Sequence, residues 1–363
     1  MSATISCNGY AYPTPAAFVK AGCYLEKESN IDNDLLMQMF PARYEPNADM
    51  IVYQHQNIFC GVQQWRGIGN QLPTAQFEEV YRECAVMPGY WGEELYLDEQ
   101  DLTRRAVRNP PNGCATAVDI SDLVARRQNL LMKRRHNLLR KLVADTLVFG
   151  AYEAIDQRTG AVVARQKYNI NETTASIPWS DKANSTPFLD LLNWRNYYES
   201  QTMFKFGCCA KAVMNRNTYN KLMTNVNPAN YRALSGEYCC QGKTLGQIND
   251  LLCSHDLPQI TVYNETYFDC DVTRGPIFAN GGGGNKKFFI PDNWVIIVGC
   301  TDTTIGNMWY TRNVNTCSDV PEAGPVTMVI DQCDRPPRKI SVMDYWNGGP
   351  ALECPKAIIS AMV

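Results

Sequence analysis

The sequence predicts an α+β protein, and three patterns carry that prediction. Residues 121–148, SDLVARRQNLLMKRRHNLLRKLVADTLV, contain no Pro or Gly and repeat apolar residues at helical spacing. Residues 181–322 alternate short helical and strand patterns separated by turn residues. Strand-like runs on either side of that segment read as a first unit into which 181–322 is inserted as a second.

Residues 1–49 are rich in turn and polar residues, with Pro13, Pro15, Pro41 and Pro46, and only 34–40 is briefly helical. This stretch reads as an arm. A strand pattern begins at Met50–Tyr53 and resumes over Gly61–Trp65. From about 67 to 101 the apolar periodicity fades, and Gly67, Gly69, Pro73, Pro88, Gly89 and Gly92 interrupt it. Alternating pieces at 76–81 and 94–97 suggest a two-stranded excursion. A long loop of this kind is normally functional or disordered. A lone two-stranded ribbon is marginal in water, so this one is expected to lie on another surface.

Asp119 or Ser121 supplies a cap for the long helix. Val124, Leu131 and Leu138 recur every seventh residue, and Leu123, Leu130, Leu142 and Val143 widen the stripe. At 1.5 Å per residue such a helix is roughly 42 Å long, too long for one small domain to cover on every side. Gly150 ends it, and 151–155 with 161–170 reads as a hairpin. Further on, a helix is expected over 186–206 with Pro187 in its first turn. A strand at 210–214, a helix at 215–225 capped by Asn215 or Asn217, and a helix at 244–254 follow. Strands are expected at 260–263, 294–298, 326–330 and 339–343, with the glycine run 281–284 as a flexible loop.

Composition excludes several function classes. Apolar content of 45% and charged content of 20% suit a globular chain. No apolar run reaches the roughly 20 residues of a membrane span, and the first residues lack a signal-peptide pattern, so a protein of the cell interior with no membrane partner is expected. The 15 cysteines are therefore read as reduced, mostly buried thiols. The pairs Cys208-Cys209 and Cys239-Cys240 lack metal-binding C-x-x-C spacing. Asn171, Asn184 and Asn264 begin Asn-x-Thr sequons, which mean little without secretion.

No P-loop, G-x-S-x-G, H-E-x-x-H or dinucleotide fingerprint occurs. His55, His136 and His255 are scattered, and Cys253 near His255 reads as a buried thiol beside a capping histidine rather than a nucleophile pair. The chain is expected to be no enzyme and to hold no cofactor, metal or catalytic residue.

Charge distribution is more informative. The helix at 121–148 carries seven basic and two acidic residues, net +5, in a chain whose total is −3. Residues 78–101 carry eight acidic residues against Arg82, net −7. One reading gives Arg126, Arg127, Lys133, Arg134, Arg135, Arg140 and Lys141 to nucleic-acid phosphates, which would make the chain a nucleic-acid-binding protein acting through this helix. The acidic total and the lack of aromatics beside the basic run weigh against it. The other reading lays the acidic excursion of one subunit across the basic helix of a second, with Glu78, Glu79, Glu83, Glu93, Glu94, Asp98 and Glu99 at the interface. Exposed pairs contribute at most about 1 kcal/mol each, but a row of them sets register and rejects wrong partners. On this reading, reversing Arg134, Arg135 and Arg140 should block assembly without harming folding.

The order of elements resembles a tailed-phage major capsid protein, and more narrowly the lambda-type major capsid protein E family. The residues that carry the likeness are Arg66-Gly67 with Pro73, Val118-Asp119-Ile120 leading to Arg126-Arg127, and Ile177-Pro178-Trp179-Ser180-Asp181 with Pro187 and Asp190-Leu191-Leu192. Ala212-Val213-Met214-Asn215, Leu257-Pro258-Gln259-Ile260 to Tyr263 with Tyr267 and Asp269, and Phe289 to Asn293 before Val295-Ile296-Ile297 complete it. The likeness covers roughly 50–345.

It implies a Hong Kong 97-type capsid fold with an N-terminal arm (1–49), and peripheral-domain strands with an extended loop (50–112, loop about 67–101). It also implies a peripheral domain with spine helix and hairpin (113–180), an axial domain (181–322), and peripheral return strands with the C-terminus (323–363). It further implies a homo-oligomer of pentamers and hexamers forming an icosahedral shell around non-specifically bound double-stranded DNA. Such a chain would be assembled in the host cytoplasm and located in the virion capsid, with decoration, scaffold and portal proteins as further partners.

Overall fold

The computed structural model describes residues 4–7, 10–13, 34–47, 50–55, 63, 68–69, 71, 81–98, 118–119, 121–156, 159–232, 243–269, 285–301, 304–313, 323–332 and 339–363. Most of the expected strand at 61–65, the 76–80 part of the excursion and the 281–284 loop lie outside these residues.

The chain opens with β1 (Thr4–Cys7) and β2 (Tyr10–Pro13), then helix α1 (Leu35–Met39). Strands β3 (Ala42–Tyr44), β4 (Met50–His55), β5 (Tyr81–Val86), β6 (Gly89–Leu97) and β7 (Val118–Asp119) precede the long helix α2 (Ser121–Phe149). After it come β8 (Ala151–Ile155), β9 (Val162–Lys167), β10 (Asn171–Thr174) and helix α3 (Pro187–Gln201). Next are β11 (Lys211–Met214), helices α4 (Arg216–Met223), α5 (Pro228–Arg232) and α6 (Leu245–Ser254), and β12 (Gln259–Val262). The chain closes with β13 (Thr266–Asp269), β14 (Asn285–Phe288), β15 (Trp294–Val298), β16 (Gly306–Thr311), β17 (Val326–Gln332), β18 (Lys339–Leu352) and β19 (Ile358–Met362). Two compact units result: residues 1–50, 87–142 and 308–349 form the first, and 51–86, 143–307 and 350–363 the second.

The first unit is built on a sheet of order β17-β18-β16-β3, with β6 also pairing with β18. Val124 and Leu131 of α2 pack against Leu97 of β6 and against Ile340 and Val342 of β18. The first two members of the seven-residue repeat, with Leu123 beside them, thus form the stripe that meets the sheet. Trp91 and Trp346 face each other in register and stack at 5.8 Å. The Trp91 indole N–H donates to the Gly348 carbonyl at 3.1 Å. Gly348, at φ +141°, lies so close to β16 that a Cβ would collide with the Trp309 carbonyl, so only glycine fits there. On the edge strand β3, Arg43 lies over the Trp309 ring at 4.4 Å, directly opposite it in register.

The second unit centres on a mixed sheet of order β10-β19-β15-β11-β12. β15 reads WVIIV, and its Val295, Ile296 and Ile297 are buried on both faces, as a central strand requires. Phe188, Leu191 and Trp194 of α3, Leu222 of α4, and Ile248 and Leu252 of α6 pack with Trp179, Phe206, Met214 and Ile297 into one core. The Trp179 indole N–H donates to Asp190 Oδ2 at 3.0 Å, while burial pushes the Asp190 carboxyl above its ordinary value. Asn215 caps α4 by accepting from the Thr218 amide, and Thr244 with Gln247 forms a full capping box at α6. Gly150, at φ +61°, stops α2, because a side chain there would run into Ile170.

Three expectations need correction. β5 and β6 do not pair with each other as a free ribbon: β5 pairs with β4, and β6 is built into the sheet through β18. Residues 323–363 do not stay together, because β19 inserts between β10 and β15 of the second unit. The described cysteines are not all thiols, since Cys208 is bonded to Cys253 and Cys209 to Cys300. Cys84 and Cys354 are in no disulfide.

Candidate intersubunit surface

Helix α2 divides its seven basic residues by position. Arg126, Leu130, Lys133, Arg134 and Asn137 are exposed; 126, 130, 133 and 137 step by three and four, and Arg134 lies four from 130 and three from 137, which places them all on one face. Arg127, Arg140 and Lys141 are partly covered at the margins. Arg135 turns inward. Its guanidinium meets Asp344 of β18 at 2.5 Å, with both side chains 5% exposed, and Asp344 also accepts from the Thr327 hydroxyl at 3.0 Å. Arg140 pairs at 3.0 Å with Asp34, whose carboxylate also caps α1.

The placement of Arg135 on an exposed basic face is therefore corrected. Position 135 falls a half-turn from the 126–130–137 stripe, so its charge is taken up inside the unit. Reversing Arg135 or Arg140 would damage the fold itself, and the triple reversal cannot isolate assembly.

The acidic residues also split. Glu78, Glu79 and Glu99 lie outside the described residues. Glu93 on β6 receives Arg134 through two guanidinium hydrogen bonds, one of them 2.6 Å long, in a pair whose side chains are 43% and 40% exposed. Glu94 meets Lys339 Nζ at 3.1 Å, and hydrogen bonds from Ser341 and Lys339 hold its carboxyl below the usual value. The acidic and basic segments thus meet partly within one chain, on the first unit. Asp98 is exposed at the end of this strand. In the second unit Glu83 accepts from the Tyr53 hydroxyl, and this bond and the carboxylate's charge raise the phenol above its ordinary value.

Apolar side chains missed by the charge analysis add to the surface. Ile51, Tyr53 and Tyr81 on the β4–β5 ribbon are about half exposed, as are Ile155, Val162 and Val163 at the tip of the β8–β9 hairpin. In the first unit Tyr90 and Tyr96 on β6 are equally exposed. The signal for them in the sequence is alternation within strands that have too few neighbours to cover both faces.

Cys253 sits in a disulfide, His255 is the C-cap of α6, and His136 is buried in α2. Among the described residues no group of three or more His, Cys, Asp or Glu is placed to hold a metal ion. Among the same residues no helix is long and apolar enough to cross a membrane.

No protein-family model matches the chain, and no curated protein matches it by sequence. Solved structures do. A prophage capsid protein from Escherichia coli CFT073 aligns over 95% of this chain and 98% of its own, with TM-score 0.53 at 13% identity. A phage-related protein from Bordetella bronchiseptica RB50 aligns over 95% and 96%, with TM-score 0.53 at 12% identity. The chain, a mixed α+β protein with one long helix, shares the fold of these two proteins from end to end.

Proposed function

We propose that this chain is the structural subunit of an icosahedral tailed-phage head, assembling with copies of itself into pentamers and hexamers. The observation that carries the proposal is the near-complete mutual coverage, 95% of this chain and 98% of the prophage capsid protein. The surface chemistry supports it. A 29-residue helix presents a basic stripe, and strands with few neighbours present half-exposed Ile, Val and Tyr side chains. Many modest contacts spread over a surface suit a shell better than a single deep pocket does.

In this reading 181–305, not the whole of the expected 181–322, serves as the axial domain around the symmetry axes, and the spine helix with β16 and the 323–345 strands belongs to the peripheral domain. The loop at about 67–101 overlaps a neighbour. Glu93 and Glu94 are engaged within the chain, and Glu83 with Tyr53; Glu83, Asp98 and the half-exposed Tyr and Ile residues are assigned to neighbours on their exposure alone. Arg126 and Lys133 face either a neighbouring subunit or packaged double-stranded DNA, which would be bound without sequence preference. Assembly in the host cytoplasm, residence in the virion, a purely structural rather than enzymatic role, and scaffold, decoration and portal partners follow from the same reading.

Negative-stain microscopy and size-exclusion chromatography of the purified chain test it. Closed particles of uniform curvature are the expected result. Dispersed monomers or dimers at every concentration, with DNA affinity falling steeply as salt rises, would overturn the shell in favour of a nucleic-acid-binding protein.

A further inference from the structure

The turn before β11 carries two adjacent cysteines whose side chains leave for different elements. Cys208 joins Cys253 in the last turn of α6, and Cys209 joins Cys300 just after β15. All four residues belong to the second unit, and the bonds span 45 and 91 residues of sequence.

Non-covalent contacts hold the same turn in place. The Cys208 amide donates to Asp256 Oδ1 at 3.0 Å, and the Cys300 amide donates to the Lys205 carbonyl at 2.8 Å. Arg195 donates to the His255 and Asp256 carbonyls at 3.2 and 2.7 Å, and its guanidinium lies 3.5 Å from Asp256 Oδ2. A Cβ at Gly207 would collide with the Asp256 carboxylate, so the backbone is pressed against this corner. The turn is therefore held by contacts that do not involve the sulfurs as well as by the two bonds. None of the four cysteines is fully buried, and Cys209 is exposed. Accessible disulfides are the ones that exchange with small thiols, whereas shielded ones resist.

We propose that this turn is an oxidation-responsive clamp, at which a low-molecular-weight disulfide converts four thiols into two crosslinks tying α6 and the end of β15 to the start of β11. For each pair, one cysteine thiolate attacks a sulfur of the oxidant, whose S–S bond breaks to release one small thiol. The second cysteine thiolate then attacks the protein-bound sulfur of the mixed disulfide, forming the Cys–Cys bond and releasing the second small thiol. Two cysteine thiols are oxidised, one small disulfide is reduced, and the two protons end on the two released thiols. Closing two long loops restricts the unfolded chain, so the oxidised unit resists unfolding more than the reduced one. The clamp does not depend on shell formation.

Full-length protein, reduced with dithiothreitol, desalted and exposed to glutathione disulfide, provides the test. Trypsin leaves Cys208 and Cys209 together in peptide 206–211, Cys253 in 244–274 and Cys300 in 288–312. The wild type should yield a species containing all three peptides. C209S should link 206–211 to 244–274 alone, and C208S should link it to 288–312 alone. C253S should abolish the link to 244–274, which separates Cys253 from Cys270 in the same peptide. Oxidation should raise the wild-type Tm by roughly 5–15 °C and leave the C208S/C209S protein unmoved. Should that double variant not fold, C253S/C300S gives the same comparison. Exchanged partners in the single variants, no linked peptides after glutathione disulfide, or equal Tm values for oxidised and reduced wild type would each overturn the clamp.

Discussion

Arg134 and Arg135 are neighbours in sequence with opposite energetic roles. The Arg134–Glu93 pair is about two-fifths exposed, where solvent screening leaves at most about 1 kcal/mol. The Arg135–Asp344 pair is 5% exposed on both sides, so removing the carboxylate leaves a buried guanidinium without its main counter-charge. Asp344→Ala should cost about 3–5 kcal/mol and Glu93→Ala no more than about 1 kcal/mol, measured by urea unfolding. Similar losses for the two variants would contradict this division. The seven basic residues were all visible in the sequence, but which of them points inward depends on where β18 lies, and its Asp344 is 209 positions away.

Among the elements, helix starts were the most legible, because their chemistry is local. Asn215 was one of two cap candidates in the sequence, with Asn217, and is the cap in the structure, while a helix was expected from Thr244 and Thr244 proves to be its cap. They differ in surroundings. The Thr244 side chain bonds within its own exposed capping box. Asn215 is fully buried, and its amide also donates to the Ile290 carbonyl at 3.2 Å and to Asp292 Oδ1 at 2.6 Å. Thr244→Ala should therefore cost about 1 kcal/mol, and Asn215→Ala about 2–3 kcal/mol through loss of cap and buried bonds together. Equal denaturation midpoints for the two variants would show that the buried bonds contribute nothing. The strands were less legible. β15 was recognised from its apolar run, while β19, equally buried, was not, because a short run near the chain end has no periodicity to separate it from a tail.

For the whole molecule, assembly should be separable from folding, because Arg126 and Lys133 are exposed while Arg135 and Arg140 hold the first unit together. The double variant R126E/K133E should keep the wild-type Tm within a few degrees and lower the yield of closed particles several-fold, most strongly at low salt where surface charge is least screened. Normal particle yield with weakened retention of DNA would instead assign the stripe to the packaged nucleic acid. Loss of folding would show that these two charges are structural after all.

Taken alone, the sequence determined the long helix, its apolar stripe, its charge, the helices that begin near Asn215 and Thr244, and the central apolar strand, since each follows from residues close together in the chain. The α+β class and the likeness to capsid proteins followed from the order of those elements. Tertiary structure decided the rest. It placed β6 on β18, inserted β19 beside β15, turned Arg135 toward Asp344 and joined Cys208 and Cys209 to Cys253 and Cys300. Each of these is a pairing of distant residues, and neither hydrophobic period nor local charge encodes which distant partner a residue will meet.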